Sequence, residues 1–176
     1  MSARAVVLAV AIVAVVGGCG PKVVEPPVGV SDKPGAPISD RPVTYAFDPL
    51  DDRAVSSTAH RGKPTILAFV TTGDIVGQAQ VDYLVAMVKN DGKRVHYALV
   101  AMHPRKEIVL VAAYVEALKV EFPVALGDPS VMSADGPFGE ISAVPTIVVL
   151  DREGRMVWKH TGLAKSSDIR AHTRGL

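Results

Sequence analysis

One cysteine, Cys19, and five histidines, His60, His96, His103, His160 and His172, are the side chains from which nucleophilic, redox or metal chemistry would have to be built. A single thiol cannot close an internal disulfide, form a Cys-x-x-Cys redox pair or supply a multi-cysteine zinc site. No two histidines stand in His-x-His or i,i+4 spacing, so no metal site is expected, and no cofactor. The carboxylates offer no better start. Asp128 and Asp135 fall in the loop GDPSVMSADGPFG, where aspartates make turns. Glu107 and Glu116 fall on a helical stripe whose polar face is solvated, and no acid–base pair can be nominated. The Gly-x-Ser-x-Gly nucleophile turn and the glycine-rich phosphate loops are absent.

The use of the lone sulfur is read from what precedes it. Arg4 is the one charged side chain before Cys19, and residues 5–16 form an unbroken apolar run, AVVLAVAIVAVV. As a helix that run rises about 18 Å, short of the roughly 30 Å hydrocarbon core of a bilayer. Small residues, Gly17 and Gly18, then lead into Cys19. A basic start, a short apolar core and a small-residue cleavage site describe a secretory signal over residues 1–18. With Val16 three residues before it, Cys19 resembles the acylated cysteine of a bacterial lipobox; a plain signal peptide and an uncleaved anchor are the alternatives. The resemblance implies a lipid anchor at Cys19 and an extracytoplasmic location. Gly20 rather than aspartate after the lipid site implies the outer membrane, periplasmic face, in a host with two membranes.

Charge is balanced, with 19 lysines and arginines against 18 aspartates and glutamates. This gives no electrostatic case for nucleic acid, which calls for a basic stripe. Residues 19–42 carry Pro21, Pro26, Pro27, Pro34, Pro37 and Pro42 with no apolar period, the composition of an extended tether. Its reach is up to about 70 Å at ~3.1 Å per residue.

The remaining residues, 43–176, must hold any site. Residues 44–50 and 54–57 read as short strands around an Asp51-Asp52 turn. TILAFV, residues 65–70, is a continuous apolar β-prone run, the pattern of a buried central strand. Val81, Leu84, Val85 and Val88 predict a helix over residues 74–90, stopped by Asn90-Asp91-Gly92. Residues 95–100 form the next strand. Ile108, Val111, Ala112, Val115 and Leu118 mark a second helix, and residues 123–126 are extended. TIVVL, residues 146–150, turns through Asp151-Arg152-Glu153-Gly154 into a strand over residues 155–160, where Trp158 is expected as a half-buried hairpin aromatic. Ser166 or Ser167 is expected to cap a last short helix. The order after the N-terminal hairpin is β-α-β-α-β-β-α. The first three strands are expected parallel, the last pair antiparallel, and helices on both faces of an α/β sheet.

That order resembles the thioredoxin-like fold. Gly62-Lys63-Pro64 leading into TILAFV is similar to the approach to the active-site strand in the TlpA-like and redoxin branches. Val144-Pro145-Thr146 before IVVLD is similar to the segment carrying the family's cis-proline, which implies a cis bond at Pro145. Asp151 through Trp158 to Gly162 resembles its closing hairpin.

At the place where the family carries Trp-Cys-x-x-Cys, residues 71–78 read TTGDIVGQ. Gly73, after Thr72, falls at the tryptophan, Asp74 at the attacking cysteine and Gly77 at the resolving one. Ala68 stands where many thioredoxins have a proton-relaying aspartate. Thiol–disulfide exchange needs a thiolate, and peroxiredoxins and glutathione peroxidases also need sulfur or selenium in this region. Asp74 is expected to cap or begin the helix, with Thr71 and Thr72 as competing caps; alternatively it takes the anion position that a thiolate holds in active relatives.

Two classes of function follow. One is a redox-inactive, membrane-anchored binding module whose groove near Asp74, Val144 and Pro145 takes a protein or extended peptide. The other is the enzyme class the resemblance implies, a thiol–disulfide oxidoreductase or peroxidase of the cell envelope. A purely structural lipoprotein is the third possibility.

Overall fold

The computed structural model describes residues 37–176. The signal segment, Cys19 and all but the last few residues of the tether lie outside the described residues. Seven strands and three α-helices follow in the expected order. They are β1 (Ala46–Pro49), β2 (Val55–Ser56), β3 (Thr65–Val70), α1 (Ile75–Asp91), β4 (His96–Ala101), α2 (Ile108–Ala117), β5 (Val124–Leu126), β6 (Thr146–Leu150), β7 (Met156–Thr161) and α3 (Ser166–Thr173).

The strands make one mixed sheet in the order β2-β1-β5-β4-β3-β6-β7. The apolar run of β3 lies at its heart, with all six residues buried. It pairs parallel with β4 and antiparallel with β6, whose own partner β7 is also antiparallel. β4 pairs parallel with β5, and β1 closes that side antiparallel to β5. The three expected parallel strands and the antiparallel closing pair are both present.

The helices depart from expectation. Ile66, Ala68 and Val70 of β3 form one core layer with Val81, Leu84 and Met87 of α1, Val111 of α2 and Ile169 of α3. All three α-helices therefore pack on one face of the sheet, rather than on both. The reason is topological. The steps from β3 to β4 and from β4 to β5 run in the same direction across the sheet, so two right-handed crossovers place their helices on the same side. The other face is covered by the N-terminal segment and by the long connection before β6. There Leu67 and Phe69 pack with Val43, Tyr45, Val55, Phe138 and Ile141. Burying each such side chain contributes about 1.5–3 kcal/mol, and a one-residue slip of β3 would exchange the two layers.

Element ends are set by local chemistry. Gly92, at φ +58°, closes α1 and donates its N–H to the Val88 carbonyl, a backbone state that favours glycine. α3 starts at Ser166 after Lys165, and neither serine caps it; the Ser167 hydroxyl instead bonds Asp168 Oδ1 at 3.0 Å. No helix among the described residues is long and apolar enough to cross a membrane.

Candidate functional site

Strand register gathers the candidate positions. Thr71 and Thr72 leave the end of β3, and Met102 and His103 leave the adjacent end of β4. Thr146, next to Pro145, opposes Phe69 near that end, and Thr161, before Gly162, opposes Thr146. Thr72, Gly73, Asp74, Gly77, Val144 and Pro145 thus belong to one end of the sheet.

Asp74 is the N-cap of α1. The Val76 N–H donates to its Oδ1 at 3.1 Å and the Gly77 N–H to its Oδ2 at 2.9 Å. The carboxylate satisfies two of the amides left free at a helix start, and Thr71 and Thr72 do not compete. Gly77 is buried. A Cβ placed on it would lie 3.6 Å from Asp74 Cβ and 3.1 Å from Asp74 Oδ2. Disulfides span Cβ separations of about 3.5–4.5 Å. The backbone holds the spacing of a cross-linked pair, and the side chains present make a helix cap.

The Val144–Pro145 peptide is cis. Pro145 is itself buried, and its carbonyl accepts from the Gly162 N–H at 2.7 Å. Ala143 is held from the other side, its carbonyl accepting from Thr146 Oγ1 at 2.7 Å. Val144 is left between these two fixed points, partly exposed. Neither its N–H nor its carbonyl has a backbone partner among the described residues.

The exposed large apolar side chains of the described residues gather largely at this end. Among the described residues the exposed large apolar side chains are Ile75, Val76, Tyr83, Val109, Leu110 and Leu163. Ile75 and Val76 begin α1, Val109 and Leu110 begin α2, and Leu163 follows Gly162. Only Tyr83 lies away from this end. Ile75 is 82% exposed and Val109 78%, values at odds with a helix start that merely caps a core.

A contact between loops was not visible in the sequence. The Thr72 N–H donates to His103 Nε2 at 3.0 Å, with Thr72 Oγ1 at 3.2 Å from the same nitrogen. His103 Nδ1 lies 2.8 Å from Glu107 Oε2. A backbone N–H can only donate, so Nε2 accepts and Nδ1 carries the proton toward Glu107. The arrangement has the members of a hydroxyl–imidazole–carboxylate relay. However, the Nε2 lone pair already serves the Thr72 amide, so in this geometry His103 is a brace between the β3–α1 and β4–α2 loops. The i,i+4 spacing of His103 and Glu107 was the available signal; the Thr72 contact had none.

The remaining histidines serve elsewhere. His60 Nδ1 bonds the Tyr45 hydroxyl at 2.9 Å and its ring stacks on His96 at 5.3 Å. Burial, then His96, pulls the His60 pKa down to about 4, and burial, then Lys63, lowers that of His96. Trp158 is buried rather than half-buried, its indole stacked on the rings of His160 and His172 at 5.3 and 4.7 Å. No group of three or more potential metal ligands comes together among the described residues. Asp128 is used locally, its carboxylate accepting from the Ser130 N–H at 2.9 Å.

No protein-family model matches the chain, and no curated protein is a significant match. Solved structures do resemble it. A DsbF homologue from Corynebacterium diphtheriae superposes with a TM-score of 0.68 at 19% identity, over 77% of this chain and 86% of that one. A thioredoxin-family thiol:disulfide interchange protein from Chlorobium tepidum TLS gives 0.64 at 20%, over 81% and 97%. A secreted disulfide oxidoreductase of Mycobacterium tuberculosis gives 0.62 at 16%, over 78% and 100%. The chain has the thioredoxin-like fold; the second and third of these neighbours are by name a thiol:disulfide interchange protein and a disulfide oxidoreductase.

Proposed function

We propose that this chain is a membrane-tethered, extracytoplasmic binding module on a thioredoxin-like scaffold, without thiol chemistry of its own. In this reading residues 1–18 direct export, Cys19 carries the lipid, and residues 19–42 hold the domain off the membrane. The observation that carries the binding role is the unpaired Val144 backbone at the same end of the sheet as exposed Ile75, Val76, Val109, Leu110 and Leu163. An extended segment can add to such a backbone as a short strand, with its apolar side chains on the flanking residues. Exposed apolar groups gathered in one place mark interaction surfaces.

The redox-inactive part rests on the residues themselves. The positions of the attacking and resolving cysteines hold Asp74 and Gly77, and the chain's one thiol is Cys19. The alternative, an oxidoreductase or peroxidase, draws on the names of the structural neighbours.

Two measurements on the full chain test the reading. Labelled carboxymethylated lactalbumin, a permanently unfolded polypeptide, should bind saturably, and Ile75→Asp with Val109→Asp should weaken binding about tenfold or more. Absence of saturable binding rejects the peptide site and leaves the structural role. Reduction of insulin disulfides should not exceed a Cys19→Ser control. Turnover that disappears with Cys19→Ser establishes the oxidoreductase instead.

A further inference from the structure

The opposite end of the sheet carries a second feature. A cleft of about 680 Å³ is lined by six cationic side chains, Lys63, Lys93, Arg94, Arg152, Arg170 and Arg174, with Asp91 as its one acidic side chain. Lys63 precedes β3, Lys93 and Arg94 precede β4, Arg152 follows β6, and Arg170 and Arg174 come from the end of α3. A chain with nearly equal numbers of acidic and basic residues therefore concentrates positive charge in one concavity.

Internal partners account for only part of this charge. Asp91 accepts from the Tyr97 hydroxyl and lies 3.9 Å from Arg170 Nη2. Arg94 is turned to the Asp91 and Asn90 carbonyls at 3.2 and 3.4 Å, and Arg152 to the terminal carboxylate of Leu176 at 2.6 Å. The side chains of Lys63, Lys93 and Arg174 have no hydrogen-bond or ion-pair partner among the described residues, and Arg170 Nε is buried without one. Cations at the ends of α1 and α3 complement helix dipoles. Lys63 and Arg152 sit in turns that no helix end explains.

We propose that this cleft binds a small phosphorylated anion bearing at least two negative charges, either a free ligand or the headgroup of a membrane lipid. Guanidinium forks match phosphate oxygens bidentately, and lysines add charge without fixed direction. The volume is that of a small-molecule site. A bound anion also relieves the mutual repulsion of the six cations. The cleft and the Val144 groove lie at opposite ends of the sheet, so either can fail in experiment with the other intact.

Inorganic pyrophosphate titrated into the full chain carrying Cys19→Ala should bind saturably at one site by calorimetry. Lys63→Glu with Lys93→Glu, both exposed positions, should weaken it about tenfold or more, and Ile75→Asp should leave it unchanged. Raising salt from about 20 to about 150 mM should weaken it several-fold. Flotation with phosphatidylcholine vesicles, with and without cardiolipin, whose headgroup carries two phosphates, separates the two sources. Capture that requires cardiolipin and is reversed by pyrophosphate assigns a lipid headgroup; pyrophosphate binding without vesicle capture assigns a free ligand. Absence of saturable pyrophosphate binding, or affinity unchanged in the double variant, overturns the proposal.

Discussion

The Gly77 N–H donates to Asp74 Oδ2 at 2.9 Å, so the two positions that the sequence resemblance aligns with the family's cysteine pair are joined by a helix-capping hydrogen bond. The same turn that would present a thiolate here holds a carboxylate, and both ligand types exploit the free amides of a helix start.

Asp74→Ala should lower stability by about 1 kcal/mol, the usual cost of losing a side-chain cap, and Asp74→Asn should cost only a few tenths. Urea unfolding of the two variants at neutral pH distinguishes a cap from a residue with no structural part.

Asp74→Cys combined with Gly77→Cys should form an intrachain disulfide under mild oxidation. The Cβ positions are 3.6 Å apart without backbone movement, inside the disulfide range, and the Asp74 oxygen that crowds a Gly77 side chain is removed in the same variant. Mass spectrometry after thiol alkylation, with Cys19→Ala in the background, gives the answer. Failure to oxidise would show that the turn does not hold the pairing geometry.

Acid should destabilise the domain through His60. In the unfolded chain this imidazole takes its proton near the ordinary 6.5, and in the folded chain only near pH 4. Between these values the unfolded state holds the extra proton, so stability is full above about pH 6.5 and falls as pH drops toward 4. The loss reaches about 3 kcal/mol, at ~1.4 kcal/mol per pKa unit. His96, lowered by burial and Lys63, adds in the same direction. Unfolding midpoints measured from pH 7 to pH 4 should slope downward, and His60→Gln should flatten most of that slope.

Gln80 is fully buried on α1 and clasps Ala164, accepting from its N–H at 2.7 Å and donating to its carbonyl at 3.3 Å. Gln80→Leu keeps the apolar volume but leaves both backbone groups unpaired in a buried place. Each unsatisfied group costs about 1–3 kcal/mol, so the variant should lose about 2 kcal/mol or more in urea unfolding. Exchange of the Ala164 amide should accelerate.

Much of this protein was legible as pattern. The continuous apolar runs of β3, β4 and β6, the helical stripe around Leu84 and the Gly92 stop are local signals. Each reports whether a segment is buried and with what period. The departure at Asp74 and Gly77 was also local, because a missing cysteine is visible in any sequence. What pattern could not supply was which face or end of the sheet a residue would reach. The position of α2 beside α1 followed from the direction of successive crossovers. Thr72 met His103 because β3 and β4 are parallel neighbours, although 31 positions separate them. The basic cleft was hidden by a balanced total charge, since a sum over the chain carries no information about where charges lie. The sequence determined the elements and the absence of any cysteine after Cys19; the structure chose Asp74 over Thr71 and Thr72 as the cap. The tertiary structure alone decided that apolar groups collect at one end of the sheet and cations at the other, because strand register, not spacing along the chain, sets which loops become neighbours.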